Sequence, residues 1–195
     1  MPGGDVFGRD EVVEALVAGA LDHGVALIGP PGSGLSTVLR HAASRLREIA
    51  STVAHAGQVR LVRLPDERLD VATLAADNGV LLVVDDAQLG TDAQLLALRD
   101  RALAQPVVLG VRTGAASSQL SWLWRSGVVA AIELCPLADA VVAQIVERRA
   151  GGTVHRVTLD GIVHRAAGRP AFAVDETASL LADERLVLQA GLLRG

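Results

Sequence analysis

Between residues 10 and 23, Val12, Val13, Leu16, Val17, Ala20 and Leu21 recur at helical spacing, which predicts an amphipathic helix. A short apolar run at 25–28 reads as a buried strand. Gly29-Pro30-Pro31-Gly32-Ser33-Gly34 then interrupts the chain, and a 3.6-residue period resumes over 35–50 through Val38, Leu39, Ala42, Leu46 and Ile49. The pattern of strand and helix repeats after that. Strands are predicted at 59–64, 80–84, 107–111 and 128–134, with helices at 70–76, 91–104 and 119–124. Strands alternating with helices predict a parallel, doubly wound sheet. From Pro136 onward the pattern reads as helix alone, at 138–150, 158–167 and 170–181, and predicts a small helical lid.

The predicted organisation is an α/β core over residues 1–135, a helical lid over 136–185, and a truncated linker over 186–195 leading to missing downstream domains. At 195 residues the chain is long enough for one such core and a small helical piece. Aromatic residues make up 2% of the chain and tyrosine is absent, so the core has to be built from Ala, Val, Leu and Ile, a supply suited to buried parallel strands. The formal net charge is −4 with no long basic stripe, which argues against direct nucleic-acid contact by this segment. Cys135 is the single cysteine and no signal-peptide pattern opens the chain; the expectation is a cytoplasmic protein. Apolar runs such as 80–84 are far shorter than a membrane span. All 18 basic side chains are arginine.

The strongest chemical signal is Gly29-Pro30-Pro31-Gly32-Ser33-Gly34-Leu35-Ser36-Thr37. It matches the phosphate-loop pattern G-x-x-x-x-G-K-[ST] at both glycines and at the hydroxyl, but has leucine where lysine is required. Glycines let the backbone curl so that successive N–H groups face phosphate oxygens, and the N-terminus of the following helix adds partial positive charge. Strand, glycine loop and helix in this order predict a P-loop NTPase fold: a five-stranded parallel sheet of order 5-1-4-3-2, with helices on both faces and a small helical lid. Ser36 is the candidate Mg²⁺ ligand in the loop. A unit charge pair at ~4 Å is worth on the order of 4 kcal/mol at an effective dielectric near 20, and Leu35 supplies none of it. Only an arginine can substitute in a chain without lysine. Arg40 is more than a helical turn from the loop, so Arg112 and Arg169 are the better candidates by position.

A second signal is the apolar strand that ends in Asp85-Asp86, because ligands of open α/β sheets bind at the carboxyl ends of the strands. Asp85 is the candidate metal ligand, and Asp86 the candidate group to polarise an attacking water. Strand 107–111 ends in Arg112-Thr113, as a sensor of the terminal phosphate would; a surface arginine is an equally good reading. The five histidines show no metal-ligand spacing with Cys135 or with one another.

Taken in order, Val6-Phe7-Gly8-Arg9-Asp10-Glu11, the glycine loop, Asp85-Asp86-Ala87-Gln88, Leu134-Cys135-Pro136-Leu137 and Gly168-Arg169-Pro170 resemble the motifs of STAND-class signal-transduction ATPases. The nearest resemblance is to the N-terminal AAA-type ATPase domain of large LuxR-type bacterial transcriptional regulators of the maltose-regulator kind, over residues 6–181. It implies a nucleotide-dependent switch that is closed with ADP and opens and self-associates with ATP and inducer. It also implies Mg-ATP or ADP as ligand, with Arg9 and Pro170 beside the adenine, and downstream domains of the same polypeptide as partners. Leu35 departs from the family pattern, which predicts weak or absent nucleotide binding and hydrolysis. The alternative is a working Mg-ATPase in which an arginine replaces the lysine. A small-molecule kinase would need an arginine-rich substrate lid and a base facing the nucleophile, and the C-terminal region shows neither.

Overall fold

A computed structural model describes residues 6–52, 58–65, 79–189 and 192–194. The chain divides into two compact units. One comprises Met1–Pro31 and Leu35–Leu134, the other Gly32–Gly34 and Cys135–Gly195.

In the first unit, helix α1 (Asp10–Asp22) leads to β1 (Val25–Gly29), then α2 (Leu35–Thr52) and β2 (Val59–Arg63). Next come β3 (Leu81–Asp85), a 3₁₀ turn at Ala87–Leu89, α3 (Asp92–Ala104), β4 (Val107–Arg112), α4 (Ser118–Arg125) and β5 (Ala130–Glu133). The five strands form one sheet of order β2-β3-β4-β1-β5, and every neighbouring pair is parallel. This is the predicted order read from the other edge. The helix expected at 70–76 lies outside the described residues.

The side-chain period of 2 sorts each central strand onto two faces. Val25, Leu27, Val83 and Val108 join a core with Leu16, Val17, Leu39 and Leu46 of α1 and α2. Ala26, Leu82, Val84, Val107 and Leu109 join the other, with Leu95, Leu98, Leu120 and Leu123 of α3 and α4. Both faces are covered, as continuous apolar strands require. Helix α3 begins where Thr91 accepts from the Gln94 amide and the Gln94 side chain accepts from the Thr91 amide, a reciprocal cap.

In the second unit, α5 (Asp139–Ala150), α6 (Arg156–Ala166) and α7 (Pro170–Ala182) pack around Val142, Val146, Ile162 and Ala173. Here the all-helical expectation fails. Strands β6 (Thr153–Val154), β7 (Val187–Gln189) and β8 (Leu192–Arg194) form a three-stranded sheet of order β6-β8-β7. β7 and β8 pair antiparallel, and β6 pairs with β8 in parallel. Strands of two or three residues are too short to display a period of 2, so the apolar pattern could not announce them. Segment 186–195, expected as a linker, thus holds two of these strands. Helix α5 ends at Gly151, whose φ of 77° is the left-handed conformation that favours glycine.

Candidate phosphate-binding site

Sheet order and register decide which strand ends become neighbours. Arg63 is level with Asp85, and Gly29 with Arg112, so the carboxyl ends of β2, β3, β4 and β1 present Arg63, Asp85, Arg112 and Gly29 in a row. The glycine loop leaves β1 at this edge and runs into α2 without a break. Thr113 N–H donates to the Gly29 carbonyl at 2.9 Å and ties the start of the loop to the end of β4.

Position 35 is where the sequence departs from the phosphate-loop pattern, and the structure gives its side chain a different task. Leu35 is 7% exposed and belongs to the apolar core beneath α2. It packs against β4 at Gly110, where an added Cβ would lie 2.8 Å from Leu35 Cδ2 and closer still to Leu39 Cδ1. A side chain at 110 would have to displace the ends of two leucines. The position that carries the phosphate-binding cation in the motif here anchors the first turn of α2 to the sheet. Ser36 is half-buried and Thr37 exposed in that same turn. Arg40 reaches back along the helix, donating from Nε to the Ser36 carbonyl and from Nη2 to Thr37 Oγ1, each at 3.2 Å.

The two carboxylates have unlike surroundings. Asp85, buried at the end of β3, accepts the Asp86 amide on Oδ1 at 2.9 Å. Asp86 has a φ of 53°, a left-handed conformation that aspartate tolerates better than most residues. Its side chain is 2% exposed and fully engaged. Arg63 donates to Oδ2 from Nε at 2.9 Å and Nη2 at 2.7 Å, a two-pronged bond, while Arg112 Nε meets Oδ1 at 2.8 Å. Gln88 completes the cluster, donating from Nε2 to Asp86 Oδ1 at 3.1 Å and accepting the Arg112 amide on Oε1 at 3.1 Å. Burial alone would push the Asp86 carboxyl up, but the bonds from Arg63 and Gln88 and the charges of Arg112 and Arg63 outweigh it. The carboxyl is held below its ordinary range. The same bond and the charges of Asp86 and Asp85 raise the Arg63 guanidinium.

This arrangement alters two sequence expectations. Asp86, the candidate base, already spends both oxygens on arginines. Arg112, a candidate replacement for lysine, is committed to Asp86. Sequence reasoning does not find Arg63 and Gln88 as members of the cluster. Arg63 ends a strand 23 residues before Asp86, and only the β2–β3 register brings the two together.

In the second unit, Gly32–Gly34 cluster with the start of α7. Gly32 and Gly34 have φ values of 81° and 87°, the curl that a phosphate loop requires. The Ala171 amide donates to the Gly32 carbonyl at 3.1 Å, and a Cβ on Gly32 would strike the Phe172 ring at 2.7 Å. Pro170 occupies the first turn of α7, its Cγ 3.3 Å from where a Gly34 Cβ would lie. Arg169, the other candidate replacement for lysine, stacks its guanidinium over Phe172 at 4.2 Å and donates to the Ala166 carbonyl. Arg9, buried in the first unit, precedes α1 and donates its amide to the Val6 carbonyl at 3.1 Å.

The backbone of the loop fits a phosphate group. Both left-handed glycines are in place, and Ser33 Oγ is buried without a hydrogen-bond partner, an atom that a ligand oxygen would satisfy. The hydrolytic set does not fit equally well, because Leu35 is apolar and buried and Asp86 is held by two guanidinium groups. Among the described residues no cluster of three or more His, Cys, Asp or Glu side chains is placed to hold a metal ion. Nor, among the described residues, is any helix long and apolar enough to cross a membrane.

No protein-family model matches the chain, and no curated protein does. Solved structures do. A point variant of RuvB from Thermotoga maritima superposes with a TM-score of 0.63 at 22% identity, covering 92% of this chain and 64% of that one. A second point variant of the same RuvB gives 0.65 at 21% identity, over 96% and 66% respectively. The ORC1 protein of Aeropyrum pernix, solved in complex with DNA, gives 0.70 at 17% identity, over 98% of this chain and 63% of that one. The chain thus spans just under two thirds of the length of these neighbours. At such identities the likeness establishes the fold alone, a five-stranded parallel α/β sheet of the P-loop type.

Proposed function

We propose that this chain is a STAND-type regulatory domain of a LuxR-type bacterial transcriptional regulator, one that has kept the phosphate-loop backbone and lost ATP turnover. The observation that carries this reading is Leu35, buried against Gly110 where the motif places the bridging lysine. Adenine nucleotide binds weakly through loop amides and the partial charge of the α2 N-terminus. Ser36 and Asp85 would hold Mg²⁺, and Arg9 and Pro170 would flank the adenine. Nucleotide, when bound, supplies a polyphosphate whose charge biases the domain between resting and open states; chemistry at the terminal phosphate is not part of its work. The domain acts by packing against downstream domains of the same cytoplasmic polypeptide and by self-association on activation, without touching nucleic acid itself.

The alternative, a working Mg-ATPase with an arginine in place of lysine, is disfavoured for the arginines first suggested by sequence. Arg112 is bound to Asp86, and Arg169 to Phe172 and Ala166. Calorimetric titration with ADP, and with ATP plus Mg²⁺, separates the two readings. The proposal requires dissociation constants well above the micromolar range. It also requires that Leu35→Lys tighten binding by about tenfold to a hundredfold, the worth of a charge-assisted hydrogen bond. Micromolar affinity in the unaltered protein, or no gain from Leu35→Lys, would refute it.

A further inference from the structure

Between α6 and the end of α7, within the second unit, lies a cavity of about 210 Å³ lined by Val157, Thr158, Gly161, Arg165, Leu180 and Arg185. We propose that this cavity binds a small organic carboxylate, with Arg185 and Arg165 meeting the carboxylate and Val157 and Leu180 covering a short hydrocarbon chain. Its volume falls below the roughly 300–1,000 Å³ of pockets for drug-sized ligands, which selects a short acid and leaves no room for a nucleotide.

The two guanidinium groups are set up differently. Arg165 is held in place by Glu176 on α7: Nε donates to Oε1 at 2.7 Å, and Nη2 pairs with the same oxygen. That leaves Nη1, which lies over Gly161, 3.3 Å from where a Cβ on that residue would stand. Residues 157, 161 and 165 follow one another at four-residue spacing along one face of α6, so the glycine forms the floor between Val157 and the guanidinium. Glycine inside a helix costs about 0.5–1 kcal/mol relative to alanine, and here it keeps the floor open. Arg185 is exposed, and among the described residues no carboxylate pairs with it. Asp183 and Glu184 precede it in the turn after α7, but neither lines the cavity. Since Glu176 balances Arg165, the charge of Arg185 is the one left for a ligand.

The apolar side of the cavity decides the class of anion. Val157 is 74% exposed, more than any other large apolar side chain among the described residues, and it stands beside these cations. A carboxylate offers two coplanar oxygens that suit a guanidinium edge, and its hydrocarbon chain would take Val157 and Leu180 out of water. Inorganic phosphate would meet the arginines and leave both apolar side chains wet.

The test is titration of the full chain with pentanoate, pentanamide and inorganic phosphate, followed by backbone amide chemical shifts. Pentanoate is expected to move the amides of 157–165 and 180–185 along a saturable curve, while pentanamide, of the same shape without the charge, leaves them in place and phosphate binds at least about tenfold more weakly. Arg185→Ala should weaken pentanoate by about tenfold, the loss of one charge-assisted contact, with Arg185→Lys intermediate. Gly161→Leu should abolish binding by filling the floor, with no loss of helix propensity. Because Arg185 is exposed, its variants should keep the thermal midpoint of the parent. Absence of a saturable shift with pentanoate, equal shifts with pentanamide, phosphate binding as tight as pentanoate, or undiminished pentanoate affinity in Arg185→Ala would each overturn the proposal.

Discussion

Asp86 gathers three specific side-chain partners at the carboxyl edge of the sheet. It is buried, left-handed in its backbone, and bonded by Arg63, Arg112 and Gln88. A buried carboxylate is tolerated only when its oxygens are satisfied, and two arginines with exposed outer faces satisfy it while keeping contact with water. Because its carboxyl is held below the ordinary value, Asp86 contributes stability that is fully present above the unfolded pKa of about 3.9 and is lost as pH falls through the lower folded value. Asp86→Asn keeps the shape and tolerates the left-handed backbone. Urea unfolding at a series of acidic pH values should show a shallower fall in stability for Asp86→Asn than for the parent; an identical slope would mean that the cluster does not hold the charge as described. Little of this was legible in the sequence. The Asp85-Asp86 pair marked the strand end, but a partner 23 residues away on another strand becomes a neighbour only through sheet register, which no local pattern encodes.

At the scale of elements the sequence was far more informative. Helix α1 ends at Asp22 against the expected 23, and β1 and α2 start where their apolar patterns begin, because each carries enough residues to display its period. The three strands of the second unit are too short to display one. The contact between α2 and β4 belongs to neither local pattern: Gly110 looks like an ordinary small residue in a strand until Leu35 and Leu39 are seen to fill the space over it. That contact yields a quantitative expectation. Gly110→Ala should overpack the site and cost about 1–3 kcal/mol. Leu35→Ala should leave a cavity and cost about 2–5 kcal/mol. Since the shorter side chain removes one of the two leucine contacts of the new methyl and lets the other shift, the double variant should be more stable than the sum of the two predicts, by roughly 0.5–3 kcal/mol. Additive losses in denaturant unfolding would show that Leu35 does not rest on Gly110.

Across the whole molecule, a P-loop fold carries a glycine loop that departs from the phosphate-loop pattern at position 35. The sheet order, the glycine loop and the strand bearing two aspartates make up a P-loop α/β fold, and the superposed RuvB and ORC1 structures agree over more than nine tenths of the chain. Position 35 packs the core, and Asp86 closes a charge cluster. On the proposed reading, a domain so arranged serves as a switch without ATP turnover. The most direct measurement is phosphate release from Mg-ATP by the purified chain, with a heat-inactivated sample as the baseline. The account predicts a rate indistinguishable from that baseline at saturating Mg-ATP. Sustained turnover on the order of 1 per second, ordinary for an enzyme, would contradict it.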